Sequence, residues 1–276
     1  MQLQTADIGS EVARRVAANE PCWFPGLAEV LVVGFWSEMS GLDPASYSTA
    51  AWLGSAGCSM VTVPGQSQMA VEPVPLRFAS RFEAAAFAEE VPEAASAIAC
   101  ALKRLVPGRA ADAVTTLVRS VHIIRARGPG YDFSHSEPTV PFSVFVSVPL
   151  GERHAMLRLA ESLLHEAMHL QLTLIEYHNP VVGAGDAYGY SPWQQRQRPV
   201  QGLFHGLYVF SAIQEWLLHL EADPRLPSDD RTYVERRLCE IGEEIKEVST
   251  LAASSTLTDF GRTLARSLLD PSRLSR

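Results

Sequence analysis

Between His154 and Tyr177 the chain repeats its apolar residues at three- and four-residue steps: Met156, Leu159, Ala160, Leu163, Ala167, Leu170 and Leu174. That period belongs to a helix with one apolar stripe. Asn179-Pro180 closes the run, because proline cannot continue a helix. Inside the run stands His165-Glu166-Ala167-Met168-His169. Histidines four residues apart lie on one helical face, about one turn from each other. Two imidazoles so placed can share one tetrahedral or octahedral metal ion. Glu166 lies about 100° round the helix from His165, close enough to reach a metal-bound water as a general base.

A metal site needs at least a third ligand. His205 is the first choice, because an imidazole between Phe204 and Gly206 in an apolar helix is costly without a partner. Glu176, eleven residues after His165, and Glu215 are its rivals. His122, His135, His154, His178 and His219 are expected to be structural or solvated.

The elements around this helix follow from pattern. Val121 to Arg125 is β-branched and predicts a strand, ended by Gly128-Pro129-Gly130. A polar loop is expected over Ser134 to Pro138. Phe142 to Val148 alternates with period two and predicts a strand, with Ser143, Phe145 and Ser147 on its second face. This strand is a candidate edge on which an extended peptide could add. Leu27 to Met39 predicts a short helix, and Arg81 to Leu105 a helix broken at Pro92. Val61 to Leu76, with three prolines, predicts loop or edge strand. Pro199 suits the first turn of a helix reaching about Ala222. Ser228-Asp229-Asp230 offers caps for a last long helix that packs through Val234, Leu238, Ile241, Ile245 and Val248. The expected fold is mainly α with a small β-sheet (α+β), a strand preceding a long metal-binding helix, and a helical C-terminal half. A single domain is expected over residues 1–276, with a helix- and loop-rich part at 1–115 and a metal-site core at 116–276.

Bulk properties narrow the function. A formal charge of −8 and no block of Lys and Arg argue against a nucleic-acid partner. No stretch reaches the roughly 18 apolar residues of a membrane span, and the first residues lack a secretory pattern, so a cytoplasmic location is expected. Cys22, Cys58, Cys100 and Cys239 are widely spaced, which predicts buried thiols rather than a disulfide or thiolate site.

An ordered series extends beyond the histidine pair. It runs from Ser136-Glu137-Pro138-Thr139-Val140-Pro141 through Ala160 to His169, Tyr190-Ser191-Pro192-Trp193 and Arg198-Pro199 to Gly202-Leu203-Phe204-His205-Gly206. Over roughly residues 115–250 it resembles the HExxH-type domains of peptide-modifying gene clusters. These are iron- and 2-oxoglutarate-dependent peptide β-hydroxylases that act on ribosomally made natural-product precursors. The resemblance implies Fe(II) on His165, His169 and His205, with 2-oxoglutarate and O₂ beside it. It implies hydroxylation of a side-chain β-carbon in a precursor peptide, in company with other maturation enzymes. 2-Oxoglutarate needs a fixed cation for its distal carboxylate. Arg198 is the first candidate, Arg196 the second, and Arg125 with Arg127 the third. Where the family's pattern has a further arginine after Trp193, this chain has Gln194. Under this reading Glu166 stays in the site without a hydrolytic water to activate. Two other functions remain open: a zinc peptidase using Glu166 as base, and a non-catalytic module that binds the precursor peptide.

Overall fold

A computed structural model of the chain describes residues 5–17, 27–39, 58–62, 68–74, 78, 90–107, 110–125, 128–136 and 142–275. In chain order the elements are α1 (Thr5–Ala17), α2 (Leu27–Met39), β1 (Ser59–Val61), β2 (Met69–Pro73), α3 (Val91–Arg104), α4 (Ala110–Leu117), β3 (Ser120–Ile124), β4 (Ser134–Ser136) and β5 (Ser143–Ser147). Then come α5 (Ala155–His178), β6 (Tyr188–Ser191), β7 (Arg196–Pro199), α6 (Val200–Glu221), α7 (Ser228–Glu247) and α8 (Asp259–Leu269). The chain is mainly α-helical with a small β-sheet, as its sequence predicts. Among the described residues no helix is long and apolar enough to cross a membrane. The chain divides into two compact units, Met1–Glu38 with Gln171–Arg276, and Met39–Leu170. The division falls inside α5.

In the Met39–Leu170 unit a five-stranded sheet has the order β1-β2-β3-β5-β4. The central pairs β2–β3 and β3–β5 are parallel; β1 and β4 join antiparallel at the two ends. Three expectations are corrected here. The strand at Phe142–Val148 is not an edge: β5 lies between β3 and β4. The expected polar loop from Ser134 to Pro138 starts as the end strand β4, while Glu137 and Pro138 lie outside the described residues. The proline-bearing stretch after Val61 contains β2, an interior strand rather than an edge.

Both faces of β5 are buried, including the second face of Ser143, Phe145 and Ser147. Two of the sheet's buried serines have partners for their hydroxyls. Ser147 Oγ accepts the Phe133 N–H at 2.8 Å, and on β3 Ser120 Oγ donates to the buried Glu72 at 3.1 Å. Pro92 starts a helix instead of breaking one, because in the first turn of α3 its missing N–H has no intrahelical partner to lose. Residues 81–89 lie outside the described residues. The cysteine expectation also fails in part. Cys100 and Cys239 are exposed and Cys58 is half-buried, while Cys22 lies outside the described residues.

The start of α5 is tied down by charge. Arg158 grips Asp132 with two bonds of 2.7 Å and Glu152 with a third of 2.7 Å. Glu152 also accepts the Gly130 N–H at 2.7 Å.

In the other unit, α6 packs on α7 and on β6 and β7, and α8 packs on α1 and α6. The segment after α5 is strapped to the start of α8. Thr258 Oγ donates to the Pro180 carbonyl at 2.7 Å and caps α8 by accepting the Gly261 N–H at 2.9 Å. Val181 lies so close that a Cβ at Gly261 would stand 2.1 Å from its carbonyl oxygen. The cap expected at Ser228–Asp230 is absent: α7 begins at Ser228 itself, behind Pro227, without a side-chain cap bond. Of its expected packing stripe, Val234 and Ile241 are buried, as is Val248 just past its end.

The Arg158 guanidinium, and after it the Gly130 N–H, holds the Glu152 carboxyl below its ordinary value of 4.5. A depressed carboxylate pKa contributes stability above that ordinary value and loses it as pH falls toward the folded value. Arg158→Leu should therefore destabilise the protein at about pH 7, and the deficit should shrink at about pH 3. Urea unfolding at both pH values checks this; an equal deficit at both would separate Arg158's contribution from Glu152's charge.

Candidate functional site

α5 is buried on almost every side. Of its residues only Thr173 and Tyr177 are exposed, and the expected stripe widens to include Leu157, Leu164, Met168, Leu172 and Ile175. Met156 and Leu170 are only half-buried. On such a helix every polar side chain needs a partner.

In the Met39–Leu170 unit, His165 and His169 turn their Nε2 atoms toward each other at 3.1 Å, with ring planes 70° apart. Two nitrogens each about 2.1 Å from one ion stand about 3.0 Å apart at an octahedral angle and about 3.4 Å apart at a tetrahedral one. The observed distance lies in that window. The imidazole pair therefore fits a shared metal, which it would hold through both Nε2 atoms. In the metal-free chain the same contact is a hydrogen bond when one ring carries the Nε2 proton.

Glu166 is 3% exposed and accepts a 2.7 Å bond from Ser134 Oγ on β4. Its carboxylate lies 3.9 Å from His165 Nε2. The strand beside the helix thus fixes the acid within reach of the imidazole it neighbours. Sequence pattern did not single out Ser134. A serine in a polar stretch carries no signal of a partner more than thirty residues later.

In the other unit, His205 Nε2 lies 2.9 Å from Glu176 Oε2. The expected third ligand and its rival are thus bonded to each other. The contact gives an otherwise buried-helix imidazole the partner it needs, and it gives two donor atoms suited to a borderline cation. Glu215 lies farther along α6, nearly three turns from His205. Among the described residues, no group of three or more His, Cys, Asp and Glu side chains is gathered as a metal-ligand set.

The three described arginine candidates differ in their engagements. Arg125 pairs with Glu90 across a short contact. Arg196 bonds Gln194 Oε1 at 2.8 and 3.1 Å, so the residue that departs from the expected arginine occupies the second candidate. Arg198, half-buried on β7, has no acidic partner among the described residues. Its guanidinium lies over Gly202, where a Cβ would meet it at 3.0 Å. That places it at the start of α6, whose N-terminus has no side-chain cap. A helix N-terminus adds roughly half a positive charge. Arg127 lies outside the described residues.

The tip of the β6–β7 hairpin closes over the same helix. The Trp193 indole stacks on Phe210, with centroids 5.1 Å apart and planes at 9°. It also covers Gly206, where a Cβ would stand 2.4 Å from the ring.

No protein-family model matches the chain, and no curated protein matches it.

Ser134→Ala should cost about 1.5–3 kcal/mol, the range for a hydrogen bond to a buried charged group. Equilibrium unfolding in urea measures it; a cost below about 0.5 kcal/mol would mean that Glu166 is held by something other than Ser134.

Proposed function

We propose that this protein is an Fe(II)- and 2-oxoglutarate-dependent oxygenase that hydroxylates a side-chain β-carbon in a ribosomally made precursor peptide, in the cytoplasm. His165, His169 and His205 are the proposed ligands. When bound, iron and 2-oxoglutarate supply O₂ activation and the oxidation of an unactivated C–H bond. The observation that carries the reading is the Arg198 guanidinium. It has no acidic partner among the described residues and lies at an uncapped helix start, which is what a dicarboxylate's distal end requires. The spacing of the His165 and His169 nitrogens supports one shared metal ion and suits iron as well as zinc. The ordered series of motifs supports the peptide substrate.

In this reading the chain's own residues do three things. The imidazoles supply the nitrogen donors. Arg198 orients 2-oxoglutarate by bidentate pairing with its far carboxylate. Glu166, fixed by Ser134, holds a negative charge beside His165 and orients that ring.

One observation favours a second reading. A fixed carboxylate 3.9 Å from a ligand nitrogen also suits a general base, as in a zinc peptidase. Anaerobic loading with Fe(II), followed by 2-oxoglutarate, O₂ and the candidate precursor peptide, separates the two. A gain of one oxygen that requires 2-oxoglutarate is expected. Arg198→Leu should raise the KM for 2-oxoglutarate at least tenfold. Peptide cleavage with zinc alone, abolished by Glu166→Gln, would overturn the oxygenase reading in favour of the peptidase.

Gly202→Ala gives an independent check. A methyl group there displaces only the flexible end of Arg198, and alanine is the better helix former by about 1 kcal/mol. The variant should keep or raise its melting temperature while its apparent KM for 2-oxoglutarate rises. An unchanged KM would remove Arg198 from the cosubstrate site.

A further inference from the structure

The unit that contains α6 holds a cavity of about 380 Å³. This is within the size range of small-ligand sites, roughly 300–1,000 Å³. Its walls come from the last turn of α5, the segment 180–188, and the β7–α6 junction. They are fixed walls. Thr258 straps Pro180 and Val181 from behind, and the Val200 N–H donates to the Ala187 carbonyl at 2.9 Å.

The lining has a definite chemistry. Glu176 and Asp186 contribute carboxylates, and none of the lining residues is Lys, Arg or His. Asp186 is exposed and forms no ion pair among the described residues. Glu176 accepts from His205, and a carboxylate has capacity for further donors. Val181, Pro199 and Val200 supply apolar wall. Tyr188, 63% exposed, adds an aromatic ring to the lining. Two carboxylates, an aromatic ring and an apolar wall suit a cation on an aliphatic stem. The start of α6 at Pro199 to Gln201 also lines the cavity and adds partial positive charge, which the two full carboxylate charges outweigh.

We propose that this cavity binds a lysine or arginine side chain of the peptide that the protein acts on. That the ligand is a substrate residue rests on the proposed function; that the cavity selects a cation does not. Glu176 joins the cavity to His205, so the basic residue should lie within a few positions of the modified one.

The test uses the full chain without iron or 2-oxoglutarate. The probes are the Nα-acetyl amides of arginine, lysine, norleucine and glutamate. Backbone amide shifts of Gly183, Gly185 and Tyr188 are followed by NMR. The arginine and lysine probes should move these signals, and the norleucine and glutamate probes should not. Asp186→Asn should weaken the cationic probes about fivefold, and Tyr188→Leu by a similar factor. Both positions are exposed, so neither change threatens the fold. Equal shifts with norleucine, no shifts with any probe, or full cation binding by Asp186→Asn would overturn the proposal. Because metal and cosubstrate are absent, failure of the oxygenase reading leaves these outcomes unchanged. Conversely, an active oxygenase whose chain ignores cationic probes would sink the cavity's role alone.

Discussion

The constraint on which the structure depends is the burial of α5. A helix with almost no solvent face can carry polar side chains only if each is met by a partner, since a buried unsatisfied group costs about 1–3 kcal/mol. The partners are met one after another along the helix. Arg158 takes Asp132 and Glu152, Glu166 takes Ser134, His165 takes His169, and Glu176 takes His205. Gln171 donates to the buried Tyr208 hydroxyl at 2.7 Å. Groups that look like chemistry in the sequence are therefore also structural commitments. The apolar residues between them add the main driving force, at roughly 1.5–3 kcal/mol for each fully buried leucine or isoleucine.

How much of this could be read from the chain follows from what is local. The run of α5 follows from its hydrophobic period and its end from Asn179-Pro180, both visible within a short window. The existence of β5 is local as well, but its place in the sheet is not. Strand order depends on pairing with β3 and β4, and the buried Ser147 is met by a bond that comes from elsewhere in the fold. Cys100 illustrates the converse: a thiol that sequence habit buries sits on the outer side of α3. At the candidate site, the spacing of His165 and His169 was legible because four residues make a helical turn. The bond between His205 and Glu176 was not, although both were weighed, because it joins different helices.

The motifs that carry the family resemblance have a physical reading in one unit. Gly202 and Gly206 lie one turn apart on α6, and the side chains that occupy their vacant Cβ space are Arg198 and Trp193. Leu203, between them in sequence, reaches Gly189 on β6, where a Cβ would stand 2.7 Å away. Ser-Pro-Trp, Arg-Pro and the glycine pair are thus parts of one packed assembly of hairpin on helix, a structural role independent of catalysis. The same packing leaves the Arg198 guanidinium without an acidic partner among the described residues.

The closeness of Gly206 to the Trp193 indole has a consequence for how such a chain can vary. The ring lies flat between Phe210 and the bare helix backbone, with its Nε1 buried and without a hydrogen-bond partner among the described residues. Any side chain gained at 206 must evict the indole, and any smaller residue at 193 opens a slot that a side chain at 206 can fill. The two positions are therefore permitted to change together and not singly, so their mutational effects should be strongly non-additive, with each substitution rescuing the other.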